Sequence, residues 1–323
     1  MANGLSRPPL LRLLIDLVYL PLHARRQGFD AIVTLANFGP VWTPVPHIVF
    51  QRNALHFSEE FFERIRGLAN LNWRLRAWLT VAEMRGATVT VTPTDAMAEL
   101  IKKRHPSLAG KRFHTLPHGT DLSRFTAVQS TAPVDPSGRF VFLYPTKPEI
   151  YKGFEILLEA TEYLAAERDD FEVRVTTDDR GWPGEIQDRI DSAREQAWFS
   201  RLSFIGPQPA DRMPEVYRET DAIVYPSLCE SFGFPLLESM ACGLPIIAGD
   251  LAVNRELCRE AAEYYPARSS EVCAAAMQKL LSDSRCRAAL AGASRQRIAD
   301  QDWSWDHYAR NFVELCESVS SGE

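Results

Sequence analysis

Between residues 139 and 248 short apolar runs alternate with segments of helical length, the runs falling at 139–144, 171–176, 202–205, 222–225 and 245–248. Strand, helix, strand order with connections this long predicts a parallel sheet covered by helices on both faces. Ligands of such sheets bind beyond the carboxyl ends of the strands, so the loops leaving these runs are where a site is expected. The first half shows the same alternation less clearly, at 30–35, 47–50, 87–91 and 113–116. Between the halves, residues 125–138 (FTAVQSTAPVDPSG) are rich in Pro, Ser, Thr and Gly with little apolar periodicity, as in an inter-domain linker. The expectation is an α/β protein with an N-terminal domain over residues 1–128 and a second domain over 139–302.

A chain of 323 residues with 46% hydrophobic side chains can bury two such cores. Its formal net charge of -6 argues against broad binding to nucleic acid. Cys229, Cys242, Cys258, Cys273, Cys286 and Cys316 form no CxxC pair and no zinc-type spacing, which suits a reducing compartment. No apolar stretch is long enough to span a bilayer, and MANGLSRPP lacks the order of a signal peptide, so a cytoplasmic protein is expected. Residues 8–26 carry apolar side chains at helical spacing among arginines. They are expected to form a domain helix with its apolar face in the core, bent or ended at Pro21; the other reading is a peripheral contact at the inner face of a membrane, or a homo-oligomer contact, through the N-terminal domain.

The most informative segment is 221–257, DAIVYPSLCESFGFPLLESMACGLPIIAGDLAVNREL. Pro235 suits a first helical turn, Gly243 the left-handed position past a helix end, and Pro245 a stop, so a helix over 235–242 follows from capping chemistry. The loop through Gly233 and Phe234 then delivers the chain to a helix amino terminus, where free N–H groups and the helix dipole favour a diphosphate. Glu230 stands at the start of that loop and Glu238 one turn inside the helix. By spacing alone the two are equally well solvated or capping carboxylates.

The run from Glu230 through Glu238 to Pro245 resembles the E-x7-E donor signature of retaining GT-B glycosyltransferases, glycosyl transferases group 1. Other marks occur in the expected order: Gly119, Asp121 and Phe125 in PHGTDLSRF, Lys152-Gly153, Gly206 closing SFIG, Glu256 in VNREL, and Trp303-Ser304-Trp305. The resemblance covers residues 87–320. It implies two facing Rossmann-like domains and a final helix, 303–323, that crosses back to the first domain. It implies that Glu238 holds the ribose hydroxyls, Glu230 faces the donor sugar, and Lys152 holds the diphosphate together with Lys147, which stands where the family has an arginine. Gly233 and Phe234 would meet the sugar, and the amides of Leu236 and Leu237 the diphosphate. No metal and no cofactor are implied; a nucleotide-diphosphate sugar, UDP- or GDP-linked, is the substrate.

Two departures stand out. Many members carry a histidine followed by Asp or Asn on the acceptor side; here Arg52 takes the histidine's place and Asn53 fits, with His56 three residues beyond. The first domain also reads as abbreviated, without the opening strand and glycine-rich loop. The function implied is transfer of a sugar to a glycan or lipid-linked acceptor, as in cell-surface polysaccharide synthesis. The alternatives are a degenerate nucleotide-sugar-binding subunit and a nucleotide-sugar epimerase of the same fold. Asp300-Gln301-Asp302 matches a D-x-D metal pattern but lies in a polar turn, where helix capping is expected. No GxG and no GxxxxGK[ST] occurs, which excludes the usual dinucleotide and P-loop fingerprints.

Overall fold

A computed structural model describes residues 14–35, 38–126 and 138–322. The chain divides into two compact units, Met1–Gly119 with Trp305–Glu323, and Thr120–Ser304. Of the segment expected to be a linker, residues 127–137 lie outside the described residues, while Phe125 already packs edge-on against Tyr217 within the second unit.

The first unit holds a four-stranded parallel sheet in the order β1 (Ile32–Thr34), β2 (His47–Phe50), β3 (Val89–Thr92), β4 (Phe113–Thr115). Strand alternation sorts its two faces. Ile48, Phe50, Val89 and Val91 pack with Leu116 against Leu315 and Val319 of the C-terminal helix (Trp305–Ser321). Val49 faces the other way, into a cluster with Val81, Met84, Met97 and Ile101. Helix α1 (Leu20–Gln27) departs from expectation. Pro21 sits in its first turn, where the missing N–H costs nothing, preceded by a π-turn at Ile15–Tyr19. Only Pro21 and Ala24 of this helix are buried, whereas Leu14, Val18, Tyr19 and Leu22 are exposed. Residues 8–13 of the predicted helix lie outside the described residues. Helix α2 (Glu59–Arg64) packs Phe61 edge-on against Trp73 of α3 (Gly67–Gly86), and α3 with α4 (Asp95–Arg104) covers the sheet's second face; α2 and α4 are N-capped by the Ser58 and Thr94 hydroxyls.

The second unit has a six-stranded parallel sheet in the order β10-β9-β8-β5-β6-β7. Its strands are β5 (Phe140–Tyr144), β6 (Phe171–Val175), β7 (Leu202–Phe204), β8 (Ala222–Tyr225), β9 (Ile246–Gly249) and β10 (Ala262–Tyr265). Beyond the one-turn α5 (Ser123–Thr126), the connecting helices are α6 (Phe154–Ala165), α7 (Gly184–Ala193), α8 (Met213–Arg218), α9 (Phe234–Ala241) and α10 (Ala252–Cys258); α11 (Ser270–Ser282) and α12 (Ser284–Ala299) complete the unit. The chain starts in the middle with β5, runs outward to β7, then returns to place β8 on the other side of β5. Strand order therefore reverses between β5 and β8, and the loops leaving those two strands diverge to open a crevice.

Candidate active site

Both loops at the reversal carry charged residues. After β5, Pro145 to Gly153 bring Lys147 and Lys152; after β8, Pro226 to Gly233 bring Ser227 and Glu230. The loops are stitched together: Leu228 N–H donates to the Tyr151 carbonyl at 2.9 Å. Gly153 approaches so closely, at φ 63°, that a Cβ there would run into the Pro226 carbonyl. Tyr144 OH donates to the carbonyl of Lys152.

This stitching sets Lys152 Nζ at 2.6 Å from Glu230 Oε1, with side chains 17% and 13% exposed. The same oxygen accepts from Tyr225 OH at 2.8 Å and Ser227 Oγ at 2.6 Å. Three donors fix one carboxylate oxygen, while among the described residues no hydrogen bond reaches Oε2, leaving it to accept from a ligand. Lys147 is exposed on the same loop; its carbonyl accepts from the Glu149 N–H at 2.9 Å, and among the described residues its ammonium makes no ion pair.

Helix α9 starts at Gly233, which holds φ 130° and ψ 63°. Phe234 is 40% exposed, its ring 5.3 Å from Phe232. The Leu236 and Leu237 amides both close on the Gly233 carbonyl, at 3.0 and 3.4 Å. A diphosphate at the expected place would share those two amides with the helix's own first turn. One turn along, Glu238 Oε2 accepts from Tyr217 OH of α8 at 2.8 Å. Burial raises the Glu238 carboxyl above the usual carboxylate range, and the Tyr217 hydroxyl opposes that rise. Glu230 and Glu238 thus have separate partners: the structure joins Lys152 to Glu230 and anchors Glu238 from a different helix.

In the first unit Arg52 donates to Tyr308 OH at 3.0 Å, its guanidinium 5.1 Å from the centre of the Phe50 ring. Asn53 spends its Oδ1 on the Leu55 N–H at 3.0 Å, capping a 3-10 turn. His56 is buried between Phe38 and Trp73, each 5.5 Å away, and burial with the nearby Arg76 charge lowers it to about 4. A histidine so placed is neutral near pH 7 and packs as an aromatic. In the polar turn, Asp302 caps the Ser304 N–H at 2.9 Å, as expected of that segment.

Sequence reasoning missed Tyr217, Tyr225 and Ser227. The last two had a signal, hydroxyls at and just past the carboxyl end of a strand at the sheet's reversal. Tyr217 had none, lying 21 residues from the carboxylate it anchors.

Solved structures with this fold include sucrose-phosphate synthase from Thermosynechococcus elongatus, at TM-score 0.72 and 19% identity over 94% of this chain and 77% of that one. Another is Anabaena HepE in complex with UDP and glucose, at TM-score 0.66 and 19% identity over 94% and 83%. These are GT-B proteins, and the likeness concerns the fold. Among curated sequences, a D-inositol 3-phosphate glycosyltransferase of Rhodococcus opacus (strain B4) is 30% identical over 223 residues, 65% of this chain and 49% of the relative. A phosphatidyl-myo-inositol mannosyltransferase of Mycolicibacterium smegmatis is 28% identical over 65% of this chain and 53% of its own length. The chain spans about half the length of the curated relatives it matches. Residues 129–297, more than half of the chain and nearly all of the unit that carries Lys152, Glu230 and Glu238, match the family described as Glycosyl transferases group 1, and the chain belongs to that family.

Proposed function

We propose that this protein is a retaining glycosyltransferase that takes a sugar from a nucleotide-diphosphate donor, UDP- or GDP-linked, and passes it to a glycan or lipid-linked acceptor without a metal or other cofactor. The observation that carries the reading is the Lys152–Glu230 pair, held by Tyr225 and Ser227 at the reversal between β5 and β8. When the bond from the anomeric carbon to the diphosphate breaks, negative charge builds on the departing phosphate. Lys152, fixed in advance, stabilises it, with Lys147 adding a second, mobile cation. Glu230 Oε2 takes a donor-sugar hydroxyl and Glu238 the ribose hydroxyls. The acceptor hydroxyl bonds to the anomeric carbon on the face the phosphate leaves, and its proton passes to the departing phosphate oxygen. The names of the curated relatives support glycosyl transfer, and the HepE complex with UDP and glucose supports a nucleotide-linked donor.

The test is a binding panel of UDP, GDP, ADP and dTDP by thermal shift and calorimetry. At 100 times its dissociation constant the right nucleotide stabilises the fold by about 2.7 kcal/mol. Transfer from the matching nucleotide sugar, with product anomeric configuration read by NMR, then tests retention. Failure of all four to bind overturns the donor reading; an inverted product overturns retention; epimerisation without an acceptor selects the epimerase.

A further inference from the structure

Among the described residues, all but Tyr163, Phe234 and Val272 of the exposed large apolar side chains belong to the first unit. They concentrate on α3. Leu68 is 86% exposed, Leu71 66%, Leu75 56% and Trp78 61%. Spaced by three, four and three residues, they form one stripe along the helix, while Ala77, Thr80, Val81 and Met84 occupy its buried side. Folding does not account for four large side chains held in water on one line.

The charges beside the stripe select what covers it. Arg74 and Arg76 flank it on opposite sides, and Arg66 and Arg85 stand near its two ends, all exposed. The only acidic side chain of α3 is Glu83, which is buried. Among the described residues none of Arg74, Arg76 and Arg85 is in an ion pair: Arg74 donates to Asn70 and lies over Phe62, Arg76 lies over Trp73, and Arg85 donates to Ser107. Glu59 and Glu63 of α2 line one cavity with Arg74, Trp78 and Arg85, and Glu59 is already paired with Arg104. In a chain of net charge -6, the exposed charges that α3 itself carries are all cationic. A second copy docked symmetrically would set arginine rims against each other, whereas a surface of anionic phospholipid meets both features. Leu14, Val18, Tyr19 and Leu22 repeat the chemistry in the same unit, with Arg25 and Arg26 exposed one turn on.

We propose that α3 is a docking element for anionic lipid bilayers, laying Leu68, Leu71, Leu75 and Trp78 into the acyl boundary while Arg74, Arg76 and Arg85 meet lipid phosphates. It does not rest on the donor reading, because every residue involved is in the first unit. The experiment is flotation of the whole protein with phosphatidylcholine vesicles, with and without phosphatidylglycerol. Wild type is expected to float only with phosphatidylglycerol, less so as salt rises. At about one kcal/mol per basic residue near such a surface, Arg74→Gln with Arg76→Gln weakens partitioning by about thirtyfold, and Arg74→Lys with Arg76→Lys retains it. Leu71→Gln with Leu75→Gln abolishes flotation while leaving the melting temperature near wild type, since both side chains are exposed. The inference is overturned if wild type fails to float, if the glutamine pair at the arginines floats as wild type does, or if sedimentation velocity shows a dimer that the leucine variant dissolves while no vesicle is bound.

Discussion

Replacing Lys152 with methionine removes one partner of a largely buried ion pair, and the cost follows from what stays behind. Breaking such a pair leaves an uncompensated carboxylate, generally worth about 3–5 kcal/mol. Here Tyr225 and Ser227 still donate to Glu230 Oε1, so the cost should fall to about 2–3 kcal/mol, the size of one charge-assisted hydrogen bond. Glu230→Gln removes the charge that Lys152→Met strands. The double variant should therefore be more stable than the sum of the singles by at least about 1 kcal/mol. Urea unfolding of the four proteins of this cycle measures that coupling. Affinity for the nucleoside diphosphate should behave differently: if Lys152 holds phosphate, Lys152→Met costs it tenfold or more and Glu230→Gln does not restore it. Stability rescued while binding stays lost is the expected signature. Strictly additive stabilities would refute the pair, and restored binding would refute Lys152 as a phosphate contact.

Glu238, raised by burial, takes up a proton at a higher pH than a free glutamate, so nucleotide affinity should decline on acidification from above the ordinary carboxylate range. Tyr217→Phe, which removes the hydroxyl favouring the ionised form, should move that decline to still higher pH, and Glu238→Gln should abolish it; calorimetry across pH reads both, and superimposable profiles would exclude the assignment. Glu83, buried beneath β2 with its Oε1 3.9 Å from His47 Nε2, is pushed from 4.5 to about 8 by burial, while burial lowers His47 to about 4, so near neutrality the two form an uncharged pair. The folded state then holds a proton that the unfolded chain releases above pH 4.5. Stability is fully present below that value and falls as pH rises towards 8, by about 1.4 kcal/mol per unit. The histidines that burial lowers to about 4, His47, His56 and His118, add an opposite rise up to about pH 6.5, so the Glu83 effect is read by denaturant unfolding as a difference: relative to Glu83→Gln, wild type should lose about 3 kcal/mol between pH 5 and 7.5, and parallel profiles of the two proteins would exclude Glu83 as its source. Gly153→Ala forces a side chain at φ 63° towards the Pro226 carbonyl and should cost about 2 kcal/mol or more, weakening nucleotide binding as the two loops part. A wild-type melting curve would refute the close approach.

The strands most legible in the sequence are those whose environment is simplest. FVFLY and AIVY are buried almost throughout, and unbroken apolar runs are what central parallel strands require. The edge strand β10, AEYY, escaped notice because Glu263 and Tyr264 are only partly buried and dilute the run. Residues 14–26 misled in the opposite direction. Their apolar spacing resembles a core helix, yet periodicity records only that one face is apolar, not what covers it. Helix α3 makes the same point, since one of its apolar faces is core and another stands in water.

Legibility of the candidate site divides by sequence distance. Glu230, Gly233 and Glu238 lie within one loop and one helix, so capping chemistry and a local motif find them together. The Lys152–Glu230 pair joins residues 78 apart and depends on β5 and β8 being neighbours, a fact of sheet order that no local pattern contains. The support beneath it is set the same way. Tyr225 reaches Glu230 because a strand's last side chain stands at the root of the loop that follows, and Tyr217 reaches Glu238 because α8 ends just before β8 begins. These hydroxyls decide which carboxylate oxygen is occupied and which is left for a ligand. Changing them should therefore alter how the carboxylates are aimed without removing any charge. Tyr225→Phe leaves Lys152 and Ser227 on Glu230 Oε1 and frees the side chain to turn, so turnover should fall more than nucleotide affinity. Single-turnover rates set beside calorimetric binding separate the two effects, and an equal loss in both would mean that Tyr225 only supports the fold.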